Sequence, residues 1–467
     1  MTHRRKFIRQ VTAAGIAGTI TPGFMFANNH QPVRLPIRNR VSHPFYIGWA
    51  QADITPPKPV ALIGQLHKRI SQKVQDNLTA TVLALETIDE NGNAEQAVMV
   101  SCDVTFIRRQ TQQKLQQKIS KSLKNFNPSK LFLNATHTHN APGFIDDEFF
   151  GLYDTSDDNS VMKPSEYEEF FIEKVADAVE KAWVNKEPGG YSWGLGHAVI
   201  GHNRRTVKTD GTAGMYGATN PNFDFYEGTT DNRVQLLFFW DQHNALTGIV
   251  INTTATAQVT DSTNYISADF YHEVRQALKD KYGQHIQIFI QIGAAGDITP
   301  VIHEGIYKRA EINMLERKGI TARQEIAGRL VQAIDEVYPY VQKNIQTQIV
   351  FKHTIAKINL LVKTPPAPPF YLTDSVSPAE IHIIRLDDIA IATNPFELFS
   401  DYGLAIKAQS KALLTFIVQL SCHHSGYLPT KRAADGGGYS ADKYLAGHEG
   451  GEILVRKTIE KINEMWD

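Results

Sequence analysis

Two histidines one residue apart, His137 and His139, close an apolar run in "KLFLNATHTHNAPGF", residues 130–144. Leu131, Phe132 and Leu133 have the character of a short buried strand, and Asn140, Pro142 and Gly143 end it. Both imidazoles therefore stand at a strand's exit into a loop, where open α/β sheets place their chemistry. A strand's period of two turns them to one face and turns Thr136 and Thr138 to the other. Such a pair can bind a metal ion or move protons; it can equally be two loop histidines satisfied by neighbouring carbonyls. Other residues able to do chemistry sit in short blocks further on. They are Arg204 and Arg205 in "GHNRRTV", Thr299 in "GAAGDITP" after the strand "IQIFIQIG", Glu397 at the end of "IAIATNPFELF", and a C-terminal block with His423, His424, Tyr427, Tyr439 and His448. Arg204 is suited to a carboxylate or a developing oxyanion.

The elements that must position these groups alternate between strand and helix. Residues 46–107 read as strands broken by loops, with a turn at Asn91-Gly92-Asn93, and a helix follows over about 108–123. Asp103, at the end of "AVMVSCD", has two readings: it helps hold a metal ligand, or it caps that helix. The acidic, aromatic stretch 145–160 is long enough for a lid or a substrate wall. A helix from Pro164 to Val184 follows from the spacing of Phe171, Val175, Ala178, Val179 and Ala182. The loop "GMYGATNPNFDFYEG" offers Tyr216, Phe223, Phe225 and Tyr226 as rings for a sugar or an acyl chain, unless they pack on the body. A strand pair turns near 242–244, a helix starts at "ISADF", another spans 321–338, and 347–372 reads as structural. These elements predict one α/β domain over residues 45–467, with a mixed central β-sheet and flanking helices.

Composition narrows the partners. Lys plus Arg number 48 against 49 Asp plus Glu, so neither a nucleic-acid footprint nor a polybasic membrane patch is expected. The two cysteines, Cys102 and Cys422, lie in apolar runs and read as buried thiols or, at most, one disulfide. Residues 1–28 carry Arg4-Arg5 ahead of a Gly- and Ala-rich apolar run, which is a twin-arginine export pattern. A periplasmic or secreted protein is expected, with no stable membrane span, since no other run of about 18 apolar residues exists.

The segment "THTHNAPG" resembles the Thr-His-Thr-His-Ser-Gly-Pro-Gly signature of neutral, non-lysosomal ceramidases. Further blocks are similar to the same family: "ADITPP", "SCD" at Asp103, Asn203-Arg204, "ISAD", "GDITP", "PFELF" and Tyr427-x-x-Thr430. The resemblance covers nearly all of the chain beyond the export segment and implies the ceramidase catalytic fold without the family's C-terminal immunoglobulin-like domain. It implies a zinc site with His137, Glu397 and Tyr439 as ligands. It also implies His139 as acid or base, Tyr427 and Arg204 in the active site, and Thr299 in the place of a serine nucleophile. Thr256 falls where the family has its second zinc histidine. One of His423, His424 and His448 is then a candidate replacement ligand or acid–base group, with Arg205, Tyr216, Phe225 and His424 as substrate contacts. The expected activity is hydrolysis of an amide or ester bond in a lipid or glycan. The alternatives are a polysaccharide lyase or deacylase using His139 and Tyr439 as base and acid, with Arg204 and Arg205 holding a uronate, and an inactive binding protein.

Overall fold

The strands of this chain carry apolar residues on both faces, and a sheet built from such strands must be covered on both sides. On the strand Thr79–Ile88, Val82 and Ala84 belong to one buried core and Leu83 and Leu85 to another. The computed structural model describes residues 42–467 apart from 303, 304, 364–370 and 443. Residues 1–28, where an export signal is expected, lie outside the described residues, and Val41–Asp467 form one unit.

Among the described residues, nine strands make the larger sheet. They are β1 (His43–Asp53), β2 (Thr79–Ile88), β3 (Ala94–Cys102), β4 (Leu131–Ala135), β5 (Glu187–His197), β6 (Arg233–Asp241), β7 (Leu246–Thr253), β8 (Gln287–Ile292) and β9 (Gln348–Ile349). Their order is β8-β7-β6-β5-β1-β2-β3-β4, with β9 pairing the start of β1. Pairs β3–β4 and β7–β8 are parallel while β1–β2 and β5–β6 are antiparallel, so the sheet is mixed, as expected.

A second sheet was not anticipated. Strands β10 (Phe351–Ile358), β11 (Ala379–Leu386), β12 (Ile389–Thr393) and β13 (Leu414–Val418) form it in that order. Phe351, Ile384, Ile391 and Phe416 share one buried core with Phe45, Met99, Phe132, Phe239 and Phe289 of the larger sheet, so the two sheets pack face to face.

Helices cover the outer faces. Helices α1 (Arg109–Ser122) and α2 (Pro164–Val184) bury Leu115, Phe171 and Val175 against Val82, Val100 and Leu133. Helices α3 (Phe270–Tyr282) and α4 (Ala322–Val341) pack on β6–β8. Helices α5 (Ser400–Gln409) and α6 (Gly447–Glu464) cover the smaller sheet. Local chemistry sets the ends: Pro164 opens α2, and Glu166 accepts the Lys163 backbone N–H at 2.9 Å. Thr321 and Gln324 bond each other's backbone N–H groups at the start of α4. Cys102 and Cys422 are both buried and unbridged.

Candidate functional site

Five strand exits converge. The segment after β7 meets the one after β4 through Ala257 N–H to Thr136 C=O at 3.1 Å, and Gly296 N–H after β8 bonds Leu398 C=O at 2.8 Å. The strap that follows β13 threads between them: Gln419 N–H bonds Ile292 C=O, and Cys422 N–H bonds Leu133 C=O. Gly426 C=O receives the Glu397 N–H at 3.0 Å. Short parallel strands then set Glu397 opposite Tyr427.

His137 lies at the centre, with φ 62°, a left-handed conformation unusual for a residue bearing a Cβ. Its Nδ1 is 2.8 Å from the Thr105 carbonyl, which can only accept, so the ring proton sits there. Nε2 then turns a lone pair toward Oε2 of Glu397, 3.3 Å away, with both side chains buried. Burial opposes the charge of Glu397, but a proton or other cation shared with His137 and His424 holds its carboxyl well below the usual carboxylate range. Oε1 of Glu397 accepts from the Tyr371 hydroxyl at 3.3 Å and is 3.6 Å from Nε2 of His424. His424 is stacked on Phe106, ring centroids 3.8 Å apart, with Tyr371 beside both, and neither of its ring nitrogens has a hydrogen-bond partner. Burial lowers its pKa to about 4, so it is a neutral donor.

His139 stands beside His137, ring centroids 5.1 Å apart. Gly64 makes this possible, because a Cβ there would fall 2.4 Å from the imidazole. Thr256 donates to Oε1 of Gln258 at 3.1 Å, and the Gln258 amide nitrogen lies 2.7 Å from Nε2 of His139. Nε2 is therefore the unprotonated nitrogen, and Nδ1 faces Gln65 and Asp261. Burial, reinforced by His137, keeps His139 well below its ordinary pKa.

Arg204 bridges this cluster to a cavity of about 400 Å³. Its guanidinium donates to Gly296 C=O at 2.8 Å and to the Tyr427 hydroxyl at 3.1 Å, and Tyr427 lies 3.5 Å from the Tyr439 hydroxyl. The phenol of Tyr216 shares hydrogen bonds with Thr299 and Arg204. Arg204, Tyr216, Thr299, Tyr226, Val301 and Tyr307 line the cavity.

The structure thus gathers His137, His139, Glu397, His424, Tyr427, Tyr439, Arg204, Tyr216 and Thr299. The strand register sets Tyr427 opposite Glu397, and the Tyr439 ring packs edge-on against Tyr427, centroids 5.7 Å apart. Arg205, expected at the substrate, is corrected: it is fully buried, forked onto Glu227 at 2.8 and 3.1 Å, and donates to the Tyr439 and Gly437 carbonyls. Phe225 is half exposed and outside the cavity lining, where its neighbour Tyr226 stands instead. Asp103 neither caps α1 nor touches the histidines. It forks onto Arg275 at 2.8 and 2.9 Å and accepts from Thr136 at 3.1 Å, which steadies the segment before His137. His423 faces Arg109, and His448 faces Glu449.

Gln258, Phe106 and Tyr371 were missed. Gln258 lies two residues past Thr256 and so on the same face of an extended segment, a signal that was available. Tyr371 sat at the end of a stretch read as structural, with nothing local to mark it.

The donor set suits a metal ion. It contains a neutral imidazole nitrogen fixed by a carbonyl behind it, an ionised carboxylate, phenols, and a second imidazole with no partner. Two stacked mixed sheets sheathed in helices, with these groups at the strand exits, define the ceramidase-like class of α/β fold. The neutral ceramidase from Pseudomonas aeruginosa superposes with a TM-score of 0.69 over 91% of this chain and 74% of that chain, at 14% identity. A ceramidase complexed with C2 superposes with a TM-score of 0.69, again at 14% identity and covering 91% of this chain and 75% of that one. No family model matches the sequence, and a search of curated proteins finds no match.

Proposed function

We propose that the chain is an exported, metal-dependent hydrolase that cleaves an amide or ester bond in a lipid or glycan. The observation that carries this reading is the 3.3 Å approach of the His137 Nε2 lone pair to the Glu397 carboxylate in a buried site. Two such acceptors repel each other unless a cation lies between them, a proton or, in the reading taken here, a metal ion. His137 and Glu397 would hold zinc, with the phenol of Tyr427 or Tyr439 and the imidazole of His424 at hand. When bound, zinc polarises a carbonyl and lowers the pKa of a nearby hydroxyl or water.

The chain's own residues supply the rest. Thr299 presents a hydroxyl to the cavity as the nucleophile, held by Tyr216. Arg204 brings a fixed charge to the same wall and steadies the oxyanion that forms on attack. His139 is neutral, so it can accept a proton in one step and return it in the next. Val301, Ile302, Tyr226 and Tyr307 give the cavity an apolar wall suited to an acyl chain. The fold neighbours are ceramidases, which supports an N-acylated lipid as the first substrate class to try.

The lyase reading is weakened by Arg205, since its guanidinium is spent on Glu227 and cannot share a uronate with Arg204. A product screen on N-acyl and O-acyl amphiphiles and on acidic polysaccharides separates the two. Fatty-acid release supports the hydrolase, whereas an unsaturated, ultraviolet-absorbing sugar product would sink it.

A further inference from the structure

A second cluster lies on the smaller sheet, outside the machinery just described. One ligand atom each from Glu380, His382 and Cys422 falls within 4.8 Å of the other two, among the described residues the one such group of His, Cys, Asp and Glu. Glu380 and His382 project from one face of β11, and Cys422 comes from the strap that follows β13. His382 and Cys422 are buried, and Glu380 is partly open.

The proton positions follow from a relay of three groups. Nδ1 of His353 is 2.9 Å from the Gln96 carbonyl, so it carries the ring proton and leaves Nε2 as an acceptor. That Nε2 lies 2.8 Å from Nδ1 of His382, so the His382 proton sits on Nδ1. Nε2 of His382 is then left with a lone pair. It is fully buried, has no hydrogen-bond partner, and lies 3.5 Å from Oε1 of Glu380.

No lysine or arginine pairs with Glu380 among the described residues. Lys357, opposite Glu380 on β10, makes no ion pair with it, and Arg109 is directed at His423 and at the Ser375 and Pro378 carbonyls. Gln112 gives Glu380 a 3.4 Å amide contact, which supplies no charge. A ligating histidine ordinarily donates its other ring N–H to a fixed acceptor, and His353 is that acceptor here. Bond lengths of about 2.0–2.3 Å place the edges of a tetrahedral zinc site at roughly 3.3–3.8 Å, which the imidazole–carboxylate separation already meets.

We propose that Glu380, His382 and Cys422 form a second metal site, structural in role and suited to zinc. It ties the strap to the smaller sheet. That strap needs a tie, because Leu420 (φ 51°) and Cys422 (φ 67°) both hold left-handed backbone conformations that side chains disfavour. It also delivers His424 and Tyr427 to Glu397. A metal on Cys422 would set their position without touching substrate.

Cobalt substitution tests this, because a thiolate bound to cobalt(II) has a near-ultraviolet charge-transfer band that oxygen and nitrogen ligands do not give. Cys102 is the other cysteine of the chain and lies in the core under the larger sheet, so such a band reports Cys422. The full chain, stripped by a chelator and titrated with cobalt(II), should develop the band and saturate it by two equivalents, the His137–Glu397 cluster taking the other. Cys422→Ser should lack it, and Cys422→Ser and His382→Ala should each hold one equivalent of zinc fewer than the unaltered protein. A titration of the unaltered protein that yields no thiolate band overturns the site without reliance on any variant, as does Cys422→Ser with undiminished zinc.

Discussion

Two buried clusters in this protein set an imidazole lone pair against a carboxylate, and one strap contributes to both: Cys422 to one, His424 to the other. At His137 and Glu397 the surroundings are Tyr371, Tyr427, Tyr439, a neutral second histidine and Arg204, whose guanidinium links the cluster to the cavity. At His382 and Glu380 they are a sealed histidine relay, an amide and a thiol. The local motif is the same, but only the first reaches, through Arg204, a cavity of substrate size. A cation at the second can hold the chain and do nothing else, so the two clusters should respond differently to the same kind of damage.

The largest effect should come from Glu397→Gln, which keeps the shape and removes the charge. Hydrolysis should fall by roughly 10³-fold or more, about 4 kcal/mol of barrier, with loss of metal from that cluster and the fall in melting temperature that this loss brings. His382→Ala should also lower the melting temperature but cost far less activity, about tenfold or less in kcat, since it touches no reacting group and only loosens the strap that delivers His424 and Tyr427. Parallel assays of activity, metal content and thermal unfolding check both arms. Equal loss of activity in the two variants would erase the distinction.

Within the first cluster, Thr299→Ala should reduce turnover by about 10²-fold or more, and Thr299→Ser should match or exceed the native rate because the methyl that hinders attack is gone. A loss below about tenfold, ~1.4 kcal/mol, would remove Thr299 as nucleophile. Arg204→Ala should cost about 10-fold to 100-fold in kcat/KM, and Arg204→Lys should not recover it. Both bonds come from one guanidinium nitrogen, so a lysine that kept them would have no second nitrogen to turn toward the cavity. Full activity in the lysine variant would reduce Arg204 to a general positive field.

Much of this contrast could be read from residue order, and the part that could not depends on long-range packing. The run from Pro164 to Val184 repeats its apolar residues at helical spacing behind a proline, and α2 spans those residues. The His-x-His segment follows a strand that ends at Ala135. The two-sheet architecture was hidden because a strand buried on both faces reads the same whether a helix or a second sheet covers it. Arg204 and Arg205 were taken together, yet neighbours on extended chain point to opposite sides, so only one could face the cavity. Residues 422–424 form an uninterrupted Cys-His-His run whose members serve three surroundings, which local sequence cannot assign.

The smallest predicted effect concerns Thr256, the residue standing where the family resemblance places a zinc histidine. Its hydroxyl donates to Gln258, which orients the Gln258 amide N–H toward Nε2 of His139. Thr256→Val removes that hydroxyl with little change in volume, so the amide is free to turn. One hydrogen bond is worth about 1 kcal/mol net, so kcat/KM should fall only about fivefold. The pH profile is the sharper readout. A donor on the imidazole lone pair favours the neutral ring and adds to the burial that already depresses the His139 pKa. Loosening the donor should move the acid limb of kcat/KM to higher pH, because the ring then protonates more readily. A drop in rate with an unmoved acid limb would mean that Thr256 supports packing alone and that His139 is not the group titrating in catalysis.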